Sequence, residues 1–475
     1  MLSVVILLGY GIGMIALGIW LSRRVRTASE FYVAGRGLGA GLLSATLLAA
    51  NIGAGSTVGA AGLGYRYGVA AWWWVGSAGI GSLLLAWTVG PKIWQVARDG
   101  NLWTVGDYLE ARFDRRVRMT VSLLLWVGSL AILAGQLIAI GWILHLTLGL
   151  PRPLGSLIGA IVATIYFTAG GLQGSARVNL LQLGIKLVGF GAAFAFLLGE
   201  MGGWTSFLTR VREVDASLLQ DWSGTHPGGP GWQTLLLLGP SFLVSPGLLQ
   251  KVFGAQTPEA VRRGVGVNAL VLLGFAFVPV FFGLVARVWL PGLDNPELAL
   301  PGLLMQSLPP WLGGLLLGAL FAAEVSTADA VLFMLTTSVT RDLLPRSGLV
   351  GASGGAGGDR STLYWTRVVA AGCGGLGTIL ASWLPSVIGA LTIFYTLLTA
   401  ALFLPLLAGL YLPSVRATAA WRSILLAVSM TLLLGWVLPK WEMGWGPGGG
   451  LSLLPPYVWG ILAGTLPLLP WKRRP

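Results

Sequence analysis

The sequence predicts an all-α integral membrane protein of about 13 transmembrane helices, ten of them forming two five-helix repeats of opposite topology. Three observations carry this reading. The 475 residues are 55% hydrophobic and 10% charged, with a mean hydropathy of +0.79, and their apolar runs are about 20 residues long, the length an α-helix needs to cross hydrocarbon. A membrane β-barrel would alternate over segments of about 10 residues instead. Two runs are broken near mid-length, at Ala49-Ala50-Asn51-Ile52-Gly53-Ala54-Gly55-Ser56-Thr57 and at Ser245-Pro246-Gly247. Finally, alternate connections hold 23 of the 30 Lys and Arg residues, so the positive-inside rule orients the chain.

The elements follow in order. Residues 2–22 are apolar and precede Arg23, Arg24 and Arg26 without a small-residue cleavage site. They are expected to be a retained first span with its N-terminus outside. Further spans start near residues 38, 69, 117, 154, 178, 233, 265, 310, 362, 385, 423 and 455, which leaves the C-terminus in the cytoplasm. The first repeat is expected over 38–199, an extracellular loop over 200–232, the second repeat over 233–410, and two C-terminal helices over 423–470. Thr104 to Phe113 reads as a solvated inner amphipathic helix, and Gly348 to Gly358 as a flexible inner linker. Trp72, Trp73 and Trp74 read as an interfacial belt.

Composition narrows the chemistry. The single Cys373 excludes an intrachain disulfide and a cysteine-rich metal site, and His145 and His226 are the only histidines. The net charge of +13 reports membrane orientation here, so no nucleic-acid partner is expected, and no obligate protein partner is inferred. The expected surroundings are a lipid bilayer, specifically the cell's inner (plasma) membrane.

In hydrocarbon each backbone N–H and C=O needs a partner, so Gly, Asn and Ser at mid-depth are tolerated where the backbone lines a cavity or an ion. The competing reading is close helix packing, for which Gly55 and Gly59 form a small-xxx-small pair. Proline at 246 removes an N–H and clashes with the carbonyl four residues back, so that helix must kink or unwind. The two breaks lie at matching depths in units of opposite topology, the pattern of inverted-repeat transporters. Lys186, Glu324 and Asp329 are formal charges deep inside expected spans, where they face a cavity, a partner or an ion path. For Lys186, pairing with Glu324 or Asp329 and a coupling role stand as alternatives.

Four stretches resemble the sodium/solute symporter family: Phe31 to Gly37, Ala49 to Tyr65, Thr104 to Phe113, and Ser326 to Asp342; within it, Pro246 resembles a Pro in the matching motif of proline-transporting relatives. The resemblance implies the inverted-repeat fold of the leucine transporter LeuT and Na⁺ as the co-transported ion. It further implies a Na⁺ site formed by the carbonyls of Ala49, Ile52 and Ala323 and the hydroxyls of Ser326 and Thr327. Oxygen ligands suit a hard cation. A second ion or a proton would involve Asn179, Lys186, Glu324 and Asp329, although some family members carry an Asp where Asn179 stands.

The solute, a small molecule, is expected between the breaks among Gly53, Ser56, Trp74, Phe242, Ser245 and Pro246, with half-helix N–H groups favouring a carboxylate. A proline-like amino acid is the leading expectation and a monocarboxylate or vitamin acid the alternative. A channel would need a carbonyl filter or a ring of like charge. A membrane enzyme, with Glu324 or Asp329 as general acid or base, would lack a nucleophile partner.

Overall fold

The computed structural model describes residues 34–224, 229–343, 356–437 and 455–469, plus a few positions before residue 17; the side chains of 169–179, 341, 356–363 and 436–437 are outside the described set. Most of the first expected span, Phe31 to Val33, His226, much of the Gly-rich linker and Lys440 therefore lie outside the described residues, as does the side chain of Asn179.

Helix α1 (Ala40–Asn51) ends where Ile52 leaves helical geometry at φ −93°, ψ 82°. A π-helical turn at Gly55–Gly59 then leads into α2 (Ala60–Tyr67). Gly53 cannot carry a side chain: a Cβ there would run into Thr327 Oγ1 and Gln136 Oε1. The close-packing reading of the glycines holds here, since a Cβ on Gly55 would also strike Leu391 and one on Gly59 would strike Ile388.

Next come α3 (Trp72–Trp87), α4 (Val89–Asp99) and the short α5 (Val105–Arg112). Helix α5 starts with a reciprocal capping box between Thr104 and Asp107, an arrangement worth about 1 kcal/mol. It is docked rather than solvated. Val105, Gly106, Tyr108 and Leu109 are buried, Glu110 pairs with Arg118, and Arg112 donates to the carbonyls of Gly409 and Leu412. The charges of this segment serve caps and tertiary contacts.

Helix α6 (Arg115–Leu148) is followed by α7 (Arg152–Glu200). Helix α7 is one continuous run where two helices are expected. At about 1.5 Å per residue it exceeds the thickness of a bilayer, and its apolar segments 152–168 and 180–200 each match one crossing. The connection over residues 200–232 contains α8 (Gly203–Asp215) and α9 (Ser217–Gln220). Trp73 Nε1 donates to Trp222 O, and Trp72 lies against the Trp222 ring. Two of the three consecutive tryptophans thus pack under this loop.

The second break separates α10 (Thr234–Val244) from α11 (Pro246–Phe253), with Ser245 at φ −54°, ψ 121°. Then follow α12 (Pro258–Phe275), α13 (Phe277–Trp289), α14 (Ala299–Gln306), α15 (Pro310–Thr337), α16 (Ala356–Trp383), α17 (Val387–Leu398), α18 (Leu404–Tyr411), α19 (Ala417–Leu432) and α20 (Pro456–Thr465). Among the described residues eight helical runs are long and apolar enough to cross a membrane, and Ala40–Asn51 and Arg152–Thr168 are shorter apolar helices.

The packing is reciprocal. Helix α3 lies on α10 while α12 lies on α1, and α6 lies on α17 while α15 lies on α7. Such pairing is what two repeats related by a pseudo-twofold axis produce. The two broken helices are also tied directly. Leu38 and Ala255 form a parallel bridge, in which Leu38 N donates to Gly254 O and Gln256 N to Leu38 O, both at 3.0 Å. Gln256 Nε2 donates to Gly37 O, and Trp94 Nε1 of α4 donates to Ala255 O.

Candidate functional site: a cation site beside a buried cavity

Unwinding at Ile52 sets carbonyls of the first break against the middle of α15. There Ser326 Oγ donates to Ala323 O (2.9 Å) and Ala49 O (3.3 Å), and Thr327 Oγ1 donates to Ala323 O (3.0 Å) and Ala49 O (3.3 Å). Lys186 Nζ reaches in from α7 to Ile52 O (3.3 Å) and Ser326 Oγ (3.0 Å). All five residues expected around an ion are thereby brought together. The lysine donates to two of them rather than closing on a carboxylate. Glu324 instead accepts from Thr57 Oγ1 at 2.9 Å, and both Glu324 and Asp329 are buried.

A cavity of about 90 Å³ adjoins this cluster. Gly53, Ser56, Trp74, Phe242 and Ser245 line it as expected, and Thr327 contributes from the cation cluster. Pro246 does not. It lines a second cavity with Thr104, Gln250 and Asp342, because the chain turns at Ser245 and presents Gly247 to the first cavity. Met334 borders both cavities.

Two of the half-helix N–H groups, those of Gly53 and Ala54, are already engaged by side chains. Gly53 N donates to Ser56 Oγ (3.1 Å) and Ala54 N to Gln136 Oε1 (2.9 Å), while Ser56 Oγ itself donates to Asn51 O (2.7 Å). Buried donors need partners, and the protein supplies these from its own side chains. The positive group at the cavity is Lys251 of α11; among the described residues no Asp or Glu lines the wall, while the charge of Asp329 acts on Lys251. Tyr395 sits among Trp74, Phe242 and Phe394 at ring-centroid distances of 6.1, 5.7 and 5.2 Å, forming an aromatic flank.

Sequence reasoning missed Gln136, Lys251 and Tyr395. Gln136 had a signal, being the one amide in the long apolar run of α6. Lys251 lies four residues after Gly247, on the same helix face.

The comparisons decide the family. The sodium:solute symporter family matches residues 31–347. The chain belongs to this family. It is thus a multi-pass membrane protein and a member of a group of Na⁺-coupled solute symporters. It is 26% identical over 353 residues to the sodium/pantothenate symporter of Escherichia coli (strain K12), covering 71% of each chain. It is 24% identical over 371 residues to the sodium/glucose cotransporter of Vibrio parahaemolyticus, covering 70% of this chain and 66% of that one. A solved structure of a Na⁺-coupled sialic acid symporter shares its fold, with a TM-score of 0.76 at 19% identity over 99% of this chain and 98% of the other.

Proposed function

We propose that this family member carries a small organic monocarboxylate, of the vitamin-acid class, together with Na⁺ across the cell's inner (plasma) membrane by alternating access. Ala49, Ile52, Ala323, Ser326 and Thr327 bind the ion, and the solute occupies the cavity between the two breaks. The observation that carries the solute class is Lys251. A buried ammonium facing the cavity, although it also lies in the field of Asp329, is suited to an anion. The aromatic flank of Trp74, Phe242 and Tyr395 accommodates the apolar body.

The likeness to pantothenate symporters supports an acid. The amino-acid expectation leaned partly on Pro246, which lies outside this cavity. Asn179, Glu324 and Asp329 remain the groups for a second ion or a proton.

The test is uptake into proteoliposomes of labelled pantothenate, other monocarboxylates, proline and glucose, with Na⁺ or choline outside. Na⁺-dependent uptake of an acid is expected, and Lys251→Gln should raise its half-saturating concentration roughly tenfold or more, the value of one lost charge-assisted hydrogen bond. Uptake of glucose with no competition from acids would overturn the solute class, and uptake indifferent to choline replacement would overturn the coupling.

A further inference from the structure

Lys186 is fully buried, and its ammonium rests on oxygens proposed above as Na⁺ ligands. A buried unit charge requires compensation. Lys186 finds it in a carbonyl freed by the helix break and in a hydroxyl of α15, the same dipoles that a metal cation would use. Glu324, the buried carboxylate of α15 nearest in sequence to Ser326, is held instead by Thr57. Helix α1 has no titratable residue to offer.

An ammonium 3.0 Å from Ser326 Oγ and 3.3 Å from Ile52 O excludes a metal ion from those same two oxygens. Two unit charges sharing ligands at that spacing in a dry site repel strongly. The side chain is therefore positioned as a competitor of the ion.

We infer that Lys186 is a tethered cation that fills the Na⁺ site when the ion has left and must vacate it before Na⁺ binds. This inference rests on the sodium site proposed above and deepens it. The empty carrier then returns across the membrane with its broken helix still bridged to α15 by a positive charge. The lysine thereby sets the apparent Na⁺ affinity, because only carriers with the side chain displaced are competent to take the ion.

The experiment measures ²²Na⁺ binding to the purified full chain for the wild type, Lys186→Met, Lys186→Gln and Lys186→Arg, followed by net uptake and solute exchange in proteoliposomes. If Nζ holds the site in about nine carriers of ten, removing its charge tightens apparent Na⁺ affinity about tenfold. Met and Gln should show this gain, and Arg, which keeps a charge, should not. Met and Gln should also slow net uptake, which needs the empty carrier to return, while sparing exchange, which does not. Gln keeps amide donors for Ile52 O and Ser326 Oγ and stands in for Met should that variant aggregate. Na⁺ binding that is unchanged or weakened in both neutral variants would overturn the tethered-cation role while leaving the sodium site intact. Absence of Na⁺ binding in the wild type and all three variants would overturn the sodium site, and the inference with it.

Discussion

At the scale of single residues, the middle of α15 concentrates the chemistry. Ser326 and Thr327 each turn a hydroxyl toward Ala49 O, so two neighbouring side chains reach one freed carbonyl. Thr327→Ala should raise the Na⁺ concentration for half-maximal uptake roughly tenfold, the effect of one lost hydrogen bond to a charged group; an unchanged Na⁺ dependence would remove this hydroxyl from the site. Gly53→Ala tests the same contact from the opposite side. Its Cβ would meet Thr327 and Gln136, so loss of Na⁺-driven uptake is expected even though the added group is a single methyl. The hydroxyl pair was legible in the sequence because two adjacent polar residues between acids in an apolar span need an explanation. Lys251 was not. It counted toward the basic residues of the inner side, and only the turn at Ser245 shows that α11 carries it back against the cavity.

At the scale of elements, both interruptions could be read from composition, since Gly with Asn, or Pro, cannot continue an unbroken membrane helix cheaply. What satisfies the first break could not be read. Gln136 reaches Ala54 N from 82 residues away, and no local pattern encodes such a partner. Nor could the pattern show that α7 continues where a turn is expected, because Gly and polar residues permit a turn without compelling one.

A loop-to-helix contact gives the prediction at this scale. Glu297, between α13 and α14, accepts from Val387 N at the start of α17. Burial raises its pKa from 4.5 to about 7, although the N–H groups of Val387 and Ile388 oppose the shift. The folded chain therefore holds this proton more tightly than the unfolded chain does. The contribution to stability is present at low pH and is lost as pH rises from 4.5 through about 7. Thermal midpoints should fall between about pH 5 and about pH 8, and Glu297→Gln should flatten that part of the profile.

At the scale of the whole molecule, the reciprocal packing of α3 on α10 and α12 on α1 gathers both broken helices into one group, while α6, α15 and α17 supply the opposing wall. The cation cluster spans the division, with Ala49 and Ile52 on one side and Ala323, Ser326 and Thr327 on the other. An ion bound there would draw the two groups together, and the adjoining cavity would respond. Gln256→Ala combined with Trp94→Phe should raise the ratio of Na⁺ to solute moved, measured by dual-label uptake, because it weakens the ties at the ends of α1, α4 and α11. A ratio equal to that of the parent would mean these ties do not influence coupling. The bridge between Leu38 and Ala255 extends the point in mechanical terms. Two levers driven by one load lose stroke to backlash if each can rock alone, and in a carrier that lost stroke is ion leaked without cargo. A paired stretch of backbone removes that play between the two broken helices, so in the proposed transport cycle they would travel as one crank.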